Sequence, residues 1–124
     1  MKTSLETQKI LSIAAKALDS KKAEDMAAIK VADLTVITEY FLIATASSST
    51  HVRALFEEVE DKLSAEGLEP YHIEGRGTNW ILLDYGSIIV HVFTRDAREF
   101  YSLDRIWDDG EHIEIEELFG GEEE

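Results

Sequence analysis

The sequence predicts a single α/β domain with a five-stranded mixed sheet and flanking helices. Two patterns indicate this class. Apolar residues recur at helical spacing in two long segments and one shorter segment, and β-branched and aromatic residues concentrate in five short segments between them. The segments follow in the order α-β-β-α-β-β-β-α, which combines hairpin connections with one helical crossover. A chain of 124 residues, 44% of them hydrophobic, can bury one core, and no repeat or linker divides it.

The helices are predicted from the spacing of their apolar residues. One helix is expected over residues 4–19, a second over residues 49–66, and a last helix or pair of short helices over residues 96–107. The second helix carries one apolar stripe, formed by Val52, Leu55, Phe56, Val59 and Leu63. The serines at 47–49 offer oxygens that can cap its first N–H groups, and Gly67 suits the left-handed residue that follows a last helical turn.

The five strands are predicted at residues 24–31, 36–46, 69–74, 79–85 and 87–94. The connection between the first two is too short for a crossover helix, so these strands should pair antiparallel. The last three follow one another through tight turns and should form an antiparallel meander. The second and third strands flank the second helix, and we expect them to be parallel with a right-handed crossover.

Charge divides the chain into a body and a tail. The formal net charge is -14, and residues 108–124 hold nine carboxylates with no lysine or arginine. We therefore expect residues 1–107 to form the domain and residues 108–124 to be a flexible acidic tail. Neutralising nucleic-acid phosphates requires clustered lysine and arginine, so direct binding of nucleic acid is not expected. An acidic chain favours a basic protein as its macromolecular partner.

The strand predicted at 79–85 is unusual because it is apolar on both faces. Its two faces are Trp80, Leu82 and Asp84 on one side and Ile81, Leu83 and Tyr85 on the other. A strand covered by helices on both faces gives the same pattern. However, two long helices and a short one are few for five strands, and part of one face is expected to stay open. An aromatic patch there would mark a protein-protein site, with Trp80 and Tyr85 as its anchors and Asp84 as a charge partner.

The residues that catalysis or metal binding would need are not grouped in this sequence. The chain has no cysteine, and its four histidines include no i,i+4 pair, so no metal or other cofactor is expected. Phosphate-binding glycine loops and the HExxH pattern are missing, and capping explains the serines at 47–49 better than anion binding does. His91, between two valines, is more readily a structural histidine than a functional one. The N-terminus carries no apolar signal segment and no run is long enough to span a bilayer, so we expect a soluble, cytoplasmic protein.

A known family matches the C-terminal half of this sequence. The stretch GTNWILLDYGSIIVHVFTRDAREFYSLDRIW, from Gly77 to Trp107, closely resembles the signature region of the RsfS/Iojap family of ribosomal silencing factors. The matching positions are Trp80, Asp84, Gly86, Val90, His91, Val92, Arg98, Tyr101, Leu103 and Trp107. Upstream, TEYFLIATASSSTHV, from Thr38 to Val52, resembles the first half of the family, so that the resemblance covers residues 5 to 107.

The resemblance implies both a fold and a function. It implies a five-stranded mixed sheet, related in shape to nucleotidyltransferases and without known catalysis. It implies binding to the universal ribosomal protein 14 (uL14) of the large subunit, which sterically blocks association with the small subunit and represses translation. Carried over by position, the binding surface would comprise Trp80, Leu82, Asp84 and Tyr85, together with His91 on the neighbouring strand.

Two other functions remain open at this stage. The domain could be a self-associating adaptor that forms a symmetric homodimer through its open sheet face or its C-terminal helix. Dimerisation and ribosome binding would then compete for the same apolar surface. A nucleotidyltransferase-like enzyme is the least favoured function, because the sequence lacks both the Gly-Ser turn that holds phosphate and the Asp-x-Asp pair that binds magnesium.

Overall fold

The computed structural model describes residues 2–32, 38–75, 79–97, 110–115 and 118, with the backbone alone for residues 2–6 and 112. Within this part, the elements are α1 (Lys2–Ser20), β1 (Glu24–Lys30), β2 (Tyr40–Ala46), α2 (Ser49–Ser64), β3 (His72–Glu74), β4 (Trp80–Asp84), β5 (Ile88–Thr94) and β6 (Glu111–Ile113). Both long helices and all five predicted strands are confirmed. Residues 95–97 form a helical turn, and the rest of the helix predicted over 96–107 lies outside the described residues. Neither α1 nor α2 has the length and apolar character of a membrane-spanning helix.

The strands form one mixed sheet in the order β3-β4-β5-β2-β1-β6. The pairs β1 with β2, β3 with β4, and β4 with β5 are antiparallel, as the short connections predict. β2 and β5 are parallel and occupy the centre of the sheet. The mixed sheet is therefore confirmed, with six strands among the described residues where the sequence analysis predicted five.

The parallel pairing differs from the prediction. The strand predicted at 69–74 was expected to lie parallel to β2, but β3 lies at the edge of the sheet and pairs only with β4 among the described strands. The parallel partner of β2 is β5, and the two are aligned from Tyr40 opposite Ile88 to Ala46 opposite Thr94. Burial explains the difference, because parallel strands need cover on both faces. Six of the seven residues of β5 are buried, whereas two of the three residues of β3 are exposed.

Both helices pack on the same face of the sheet. α1 and α2 contact each other, and both contact β2 and β5. The apolar stripe of α2 is buried as predicted. The helix begins as predicted, with Ser48 as N-cap, its hydroxyl accepting a hydrogen bond from the backbone N–H of His51. Gly67 follows the helix in the left-handed conformation, with φ of +84°. The main core lies between these two helices and the sheet.

A second and smaller apolar cluster lies on the other face of the sheet. It comprises Ala27, Ile29, Val31, Ile43 and Phe93, with Phe41, Trp80 and Ala97 packed at its margin. These five central residues are buried. Four of them lie on β1, β2 and β5, and the fifth, Val31, directly follows β1. Towards β4 the cover decreases, since Trp80 is only partly buried.

β6 lies inside the acidic segment for which the sequence analysis predicted a flexible tail. Residues 111–113 pair antiparallel with β1, so the prediction is wrong for these residues. Further along, Leu118 is 5% exposed and belongs to the main core. Its carbonyl accepts a 2.7 Å hydrogen bond from the buried hydroxyl of Ser12 on α1. The segment thus covers the edge of β1, which would otherwise expose unpaired backbone groups.

The docking of Leu118 predicts a measurable loss of stability. We expect Leu118→Ala to lower the free energy of unfolding by about 2 to 4 kcal/mol, because it removes a buried side chain from the main core. Chemical denaturation of the purified protein measures this loss. Glu114→Ala, at an exposed position of the same segment, is the matched control and should change the stability by less than about 0.5 kcal/mol. Equal stability of both variants would show that the segment does not dock.

Candidate protein-binding surface

β4 presents three side chains on the sheet face that lies opposite the two helices. Residues along this strand alternate between partly exposed and buried, with Trp80, Leu82 and Asp84 partly exposed. Ile81 and Leu83 are buried in the main core on the helix side. The alternation explains the apolar character of both faces: one face supplies core residues, and the other forms an open surface. The face assignment predicted from the strand pattern is therefore confirmed.

Two carboxylates border the apolar centre of this open surface on the side of β3. In the antiparallel pairing of β3 with β4, His72 lies opposite Asp84 and Glu74 opposite Leu82. Opposite residues in such a pair share a face, so both β3 side chains belong to the open surface. Both are exposed, and the Nε2 atom of His72 lies 2.7 Å from Oε2 of Glu74. The surface thus combines an apolar centre with an acidic edge.

The indole of Trp80 is supported from below by an aromatic cluster. Its Nε1–H donates a 3.3 Å hydrogen bond to Nδ1 of His91 on β5, and the two rings are stacked with centroids 6.0 Å apart. The ring centroid of Phe93 lies 6.1 Å from that of the indole. Phe41 contacts the His91 ring edge to face, with the centroids 4.8 Å apart. A hydrogen bond together with ring packing restricts the rotamer of the indole, so that its remaining exposed surface has a defined orientation.

His91 itself is part of this support and not of the exposed surface. Its side chain is 4% exposed, and burial lowers its pKa to about 4, so the ring is neutral at neutral pH. Because Nδ1 accepts the indole N–H, the proton of the neutral ring must reside on Nε2. Nε2 is buried and has no hydrogen-bond partner among the described residues. His91 is therefore placed as a structural histidine, and it influences the open surface through its hydrogen bond to Trp80.

Tyr85 does not belong to the open surface. The resemblance placed it there, but its side chain is 3% exposed and packs in the main core on the helix side. Burial and the nearby carboxylates of Glu60 and Glu69 raise the pKa of its hydroxyl. The strand alternation had already grouped it with Ile81 and Leu83, and the structure follows that alternation. The exposed part of the predicted site is therefore reduced to Trp80, Leu82 and Asp84.

Asp84 has a second role in the turn that follows β4. Its Oδ1 atom accepts a 2.8 Å hydrogen bond from the backbone N–H of Gly86, which has a φ of +87°. Aspartate favours such local bonds to the backbone two residues further on, and glycine adopts positive φ without strain. The carboxylate is thereby held in place while its side chain stays partly exposed. The residue fixes the hairpin turn and supplies negative charge to the surface.

Tyr71 is the exposed residue that the sequence analysis missed. Its side chain is 77% exposed, and its backbone N–H donates a 2.8 Å hydrogen bond to the carbonyl of Asp84. The signal in the sequence was weak, because an aromatic residue in a predicted strand is usually taken as core. Only the three-residue length of β3 and its place at the sheet edge leave this side chain uncovered.

The described residues do not assemble a metal or phosphate site. No group of three or more His, Asp or Glu side chains within them could hold a metal ion. Ser48 caps α2, and the backbone N–H of Ser47 donates to Nδ1 of His51 at 2.9 Å. The opposite nitrogen of His51 lies 2.7 Å from the carbonyl oxygen of Lys21. These bonds support the assignment of the serines to helix capping.

The buried neutral His91 predicts a specific dependence of stability on pH. Its pKa is about 4 in the folded chain, whereas the ordinary value of 6.5 holds once the chain unfolds. The unfolded state therefore binds more protons than the folded state between these two values. The free energy of unfolding should decrease as the pH falls from 6.5 towards 4, by up to roughly 3 kcal/mol from this group. Denaturation curves recorded across this pH range measure the change.

Two histidine variants isolate this contribution from that of the carboxylates. His91→Gln cannot titrate and should lose the part of the pH dependence that His91 causes. His72→Gln, at an exposed position, should keep the wild-type dependence. If His91→Gln and the wild type lose stability in parallel below pH 6.5, the imidazole is not buried in its neutral form.

The sequence matches a described protein family over nearly its whole length. The family model "RsfS: Ribosomal silencing factor during starvation" matches residues 4–124. The match includes the acidic segment, which the sequence analysis had left outside the resemblance. The ribosomal silencing factor RsfS of Halalkalibacterium halodurans is 34% identical over 113 residues, which cover 90% of this chain and 97% of that protein. The protein of the same name from Bacillus subtilis is 36% identical over 106 residues, 85% of this chain and 90% of that protein.

A chloroplast relative and two crystal structures agree with this match. The chloroplastic protein Iojap of Zea mays is 30% identical over 101 residues, 82% of this chain but 44% of its own length. A crystal structure from Chromobacterium violaceum superposes with a TM-score of 0.78 at 30% identity, over 82% of this chain and 85% of that one. One from Bacillus halodurans gives a TM-score of 0.76 at 32% identity, over 86% and 98%. The fold, the sequence of β4 and β5 and these relatives lead to one conclusion: the chain belongs to the ribosomal silencing factor (RsfS) family.

Proposed function

We propose that this protein binds the ribosomal protein uL14 of the large subunit through the open face of β4 and thereby blocks association with the small subunit. Its site of action is the cytoplasm, where the subunits join. The observation that carries the proposal is the indole of Trp80, which is partly exposed and held by His91 on a sheet face that the two helices leave open. A preorganised tryptophan is typical of the residues that dominate protein-protein affinity.

The charge of the surface supports a basic partner. Glu74 and Asp84 lie on the same face as Leu82, and the chain as a whole carries a net charge of -14. Ribosomal proteins that contact RNA must neutralise phosphates and are therefore rich in lysine and arginine. Complementary charge accelerates encounter and excludes partners of like charge, while the apolar centre supplies most of the affinity.

Steric exclusion is sufficient for the proposed effect. A folded domain of this length has a radius of gyration of about 14 Å. When such a body binds within the area that a second subunit must contact, the two binding events cannot occur together. Repression then requires occupancy of the site and no chemical step. The affinity and the residence time of the domain on the large subunit determine how strongly translation is repressed.

We also propose that the protein acts without catalysis. Its family is named for the silencing of ribosomes, which is a regulatory activity. Ser48, one of the serines that could have bound phosphate, caps α2, and the partly exposed residues of β4 include one carboxylate. Phosphoryl or nucleotidyl transfer would require grouped carboxylates that hold magnesium. Titration with a nucleotide and magnesium tests this point, and saturable binding of either would favour an enzyme.

Removal of the indole tests the proposed surface. We expect Trp80→Ala to weaken binding to purified large subunits by about 2 kcal/mol or more, the usual scale for a central aromatic anchor. Cosedimentation with large subunits measures the binding, and the fraction of joined particles in a sucrose gradient measures the effect on association. Leu82→Ala should weaken both in the same direction but less, because it removes a smaller side chain from the same face.

A matched control separates loss of the surface from loss of the fold. Ile10→Ala shortens a partly buried side chain of α1 that packs against the main core on the helix side. It should leave binding unchanged. Circular dichroism must show that each variant is folded. A folded Trp80→Ala protein that binds and inhibits like the wild type would remove this tryptophan from the interface.

Self-association is the alternative that the same apolar face permits. If a second copy occupies the surface, the apparent affinity for the large subunit should fall as the protein concentration rises, because dimers must first dissociate. Binding measured over a wide range of protein concentrations separates the two cases. An affinity that does not depend on the concentration would show that dimerisation and ribosome binding do not compete.

A further inference from the structure

We propose that Tyr71 and Asp84 together form a binding site for an arginine side chain of the protein that docks on β4. This inference rests on the proposed function and names one chemical feature of the partner. Tyr71 is 77% exposed, and its backbone is hydrogen-bonded to the backbone of Asp84 at 2.8 Å. It directly precedes β3 and lies beside the end of β4 that is remote from Trp80.

The ring of Tyr71 is positioned although it is exposed. It lies against Gly86, where an added Cβ atom would come within 2.7 Å of Cε2 of the ring. The glycine therefore supplies the space that the ring occupies. Gly67, which also has a positive φ, has no neighbouring atom within 4 Å of the same hypothetical Cβ. An aromatic ring that rests on backbone loses little further freedom on binding, which favours its use as a contact residue.

The carboxylate of Asp84 approaches the same glycine. Its Oδ1 atom lies 2.8 Å from the backbone nitrogen of Gly86. Because ring and carboxylate both contact one residue, standard bond lengths place them no more than roughly 8 Å apart. A cation binds an aromatic face from within about 6 Å of the ring centre and binds a carboxylate by a direct hydrogen bond. One extended cationic group can therefore contact both.

The chemistry of the pair favours arginine over other cations. The planar guanidinium can stack on the tyrosine ring while it donates paired hydrogen bonds to the carboxylate, whereas the ammonium of lysine is a compact, strongly hydrated charge without a planar face. Among the described residues, no lysine or arginine forms an ion pair with Asp84. Across the strand pair lie His72 and Glu74, whose side chains bond to each other. The side chain of Asp84 is partly exposed, so a partner can reach its carboxylate.

A double-mutant cycle on purified large subunits tests the site. Tyr71→Leu keeps an apolar side chain but removes the aromatic face. Asp84→Asn removes the charge and keeps an oxygen that can accept the N–H of Gly86. Each change should weaken binding roughly three- to ten-fold. Together they should weaken it by clearly less than the product of the two, because both remove the same arginine contact. Glu114→Ala, at an exposed position outside this site, is the control and should bind like the wild type.

The outcomes separate this inference from the proposed function. If the wild type binds, Trp80→Ala weakens binding and Tyr71→Leu does not, the arginine site is wrong and the proposed surface stands. If the double variant weakens binding by the full product of the two single effects, the two residues do not share one arginine and the site is also wrong. If the wild type does not bind large subunits at all, both proposals are wrong. Thermal denaturation must show that Tyr71→Leu is as stable as the wild type, as expected for an exposed side chain.

Discussion

The packing of both long helices on one face of the sheet is the constraint on which the rest of this structure depends. Alternate side chains of β2, β4 and β5 pack against these helices in the main core. The remaining side chains of these strands lie on the other face of the sheet, which the helices do not cover. At the centre of the sheet most of these side chains are buried, whereas along β4 all three are partly exposed. A mixed sheet with a short antiparallel edge tolerates this asymmetry, since antiparallel strands can face water on one side. The open surface is thus a consequence of the architecture, and its aromatic and acidic residues suit it for a basic protein partner.

A neutral histidine beneath the surface explains how a tryptophan can be both exposed and ordered. His91 accepts the indole N–H, and the rings of Phe41 and Phe93 limit the positions that the two side chains can adopt. A protonated imidazole would carry a hydrogen on both nitrogens and could not accept that bond. The burial that lowers the pKa of His91 therefore also preserves the orientation of Trp80. Stability and recognition depend here on the same buried group.

Local patterns in the sequence predicted both long helices, five strands and the antiparallel pairs between successive strands, but neither the parallel pair nor β6. The stripe of α2 and the alternation along β4 depend on neighbours in the chain, and both were predicted. The choice of β5 as the parallel partner depends on which strand is long and buried, a property of the whole sheet. β6 was missed because its carboxylates indicated a solvated tail, whereas pairing with β1 and the burial of Leu118 outweigh them. Tyr85 was misplaced because a resemblance took precedence over the strand alternation, and Tyr71 was missed because exposure is a tertiary property.

The contact of Leu118 with Ser12 joins residues that are 106 positions apart in the chain. Closing so large a loop costs entropy that only a largely assembled sheet can repay, so this contact is expected to form late in folding. Until it forms, the outer edge of β1 lacks its neighbour and offers free backbone groups to other chains. The acidic segment that closes this edge also carries a dense negative charge, which repels identical molecules during that interval. The same residues that complete the sheet can thus protect the nascent protein from aggregation.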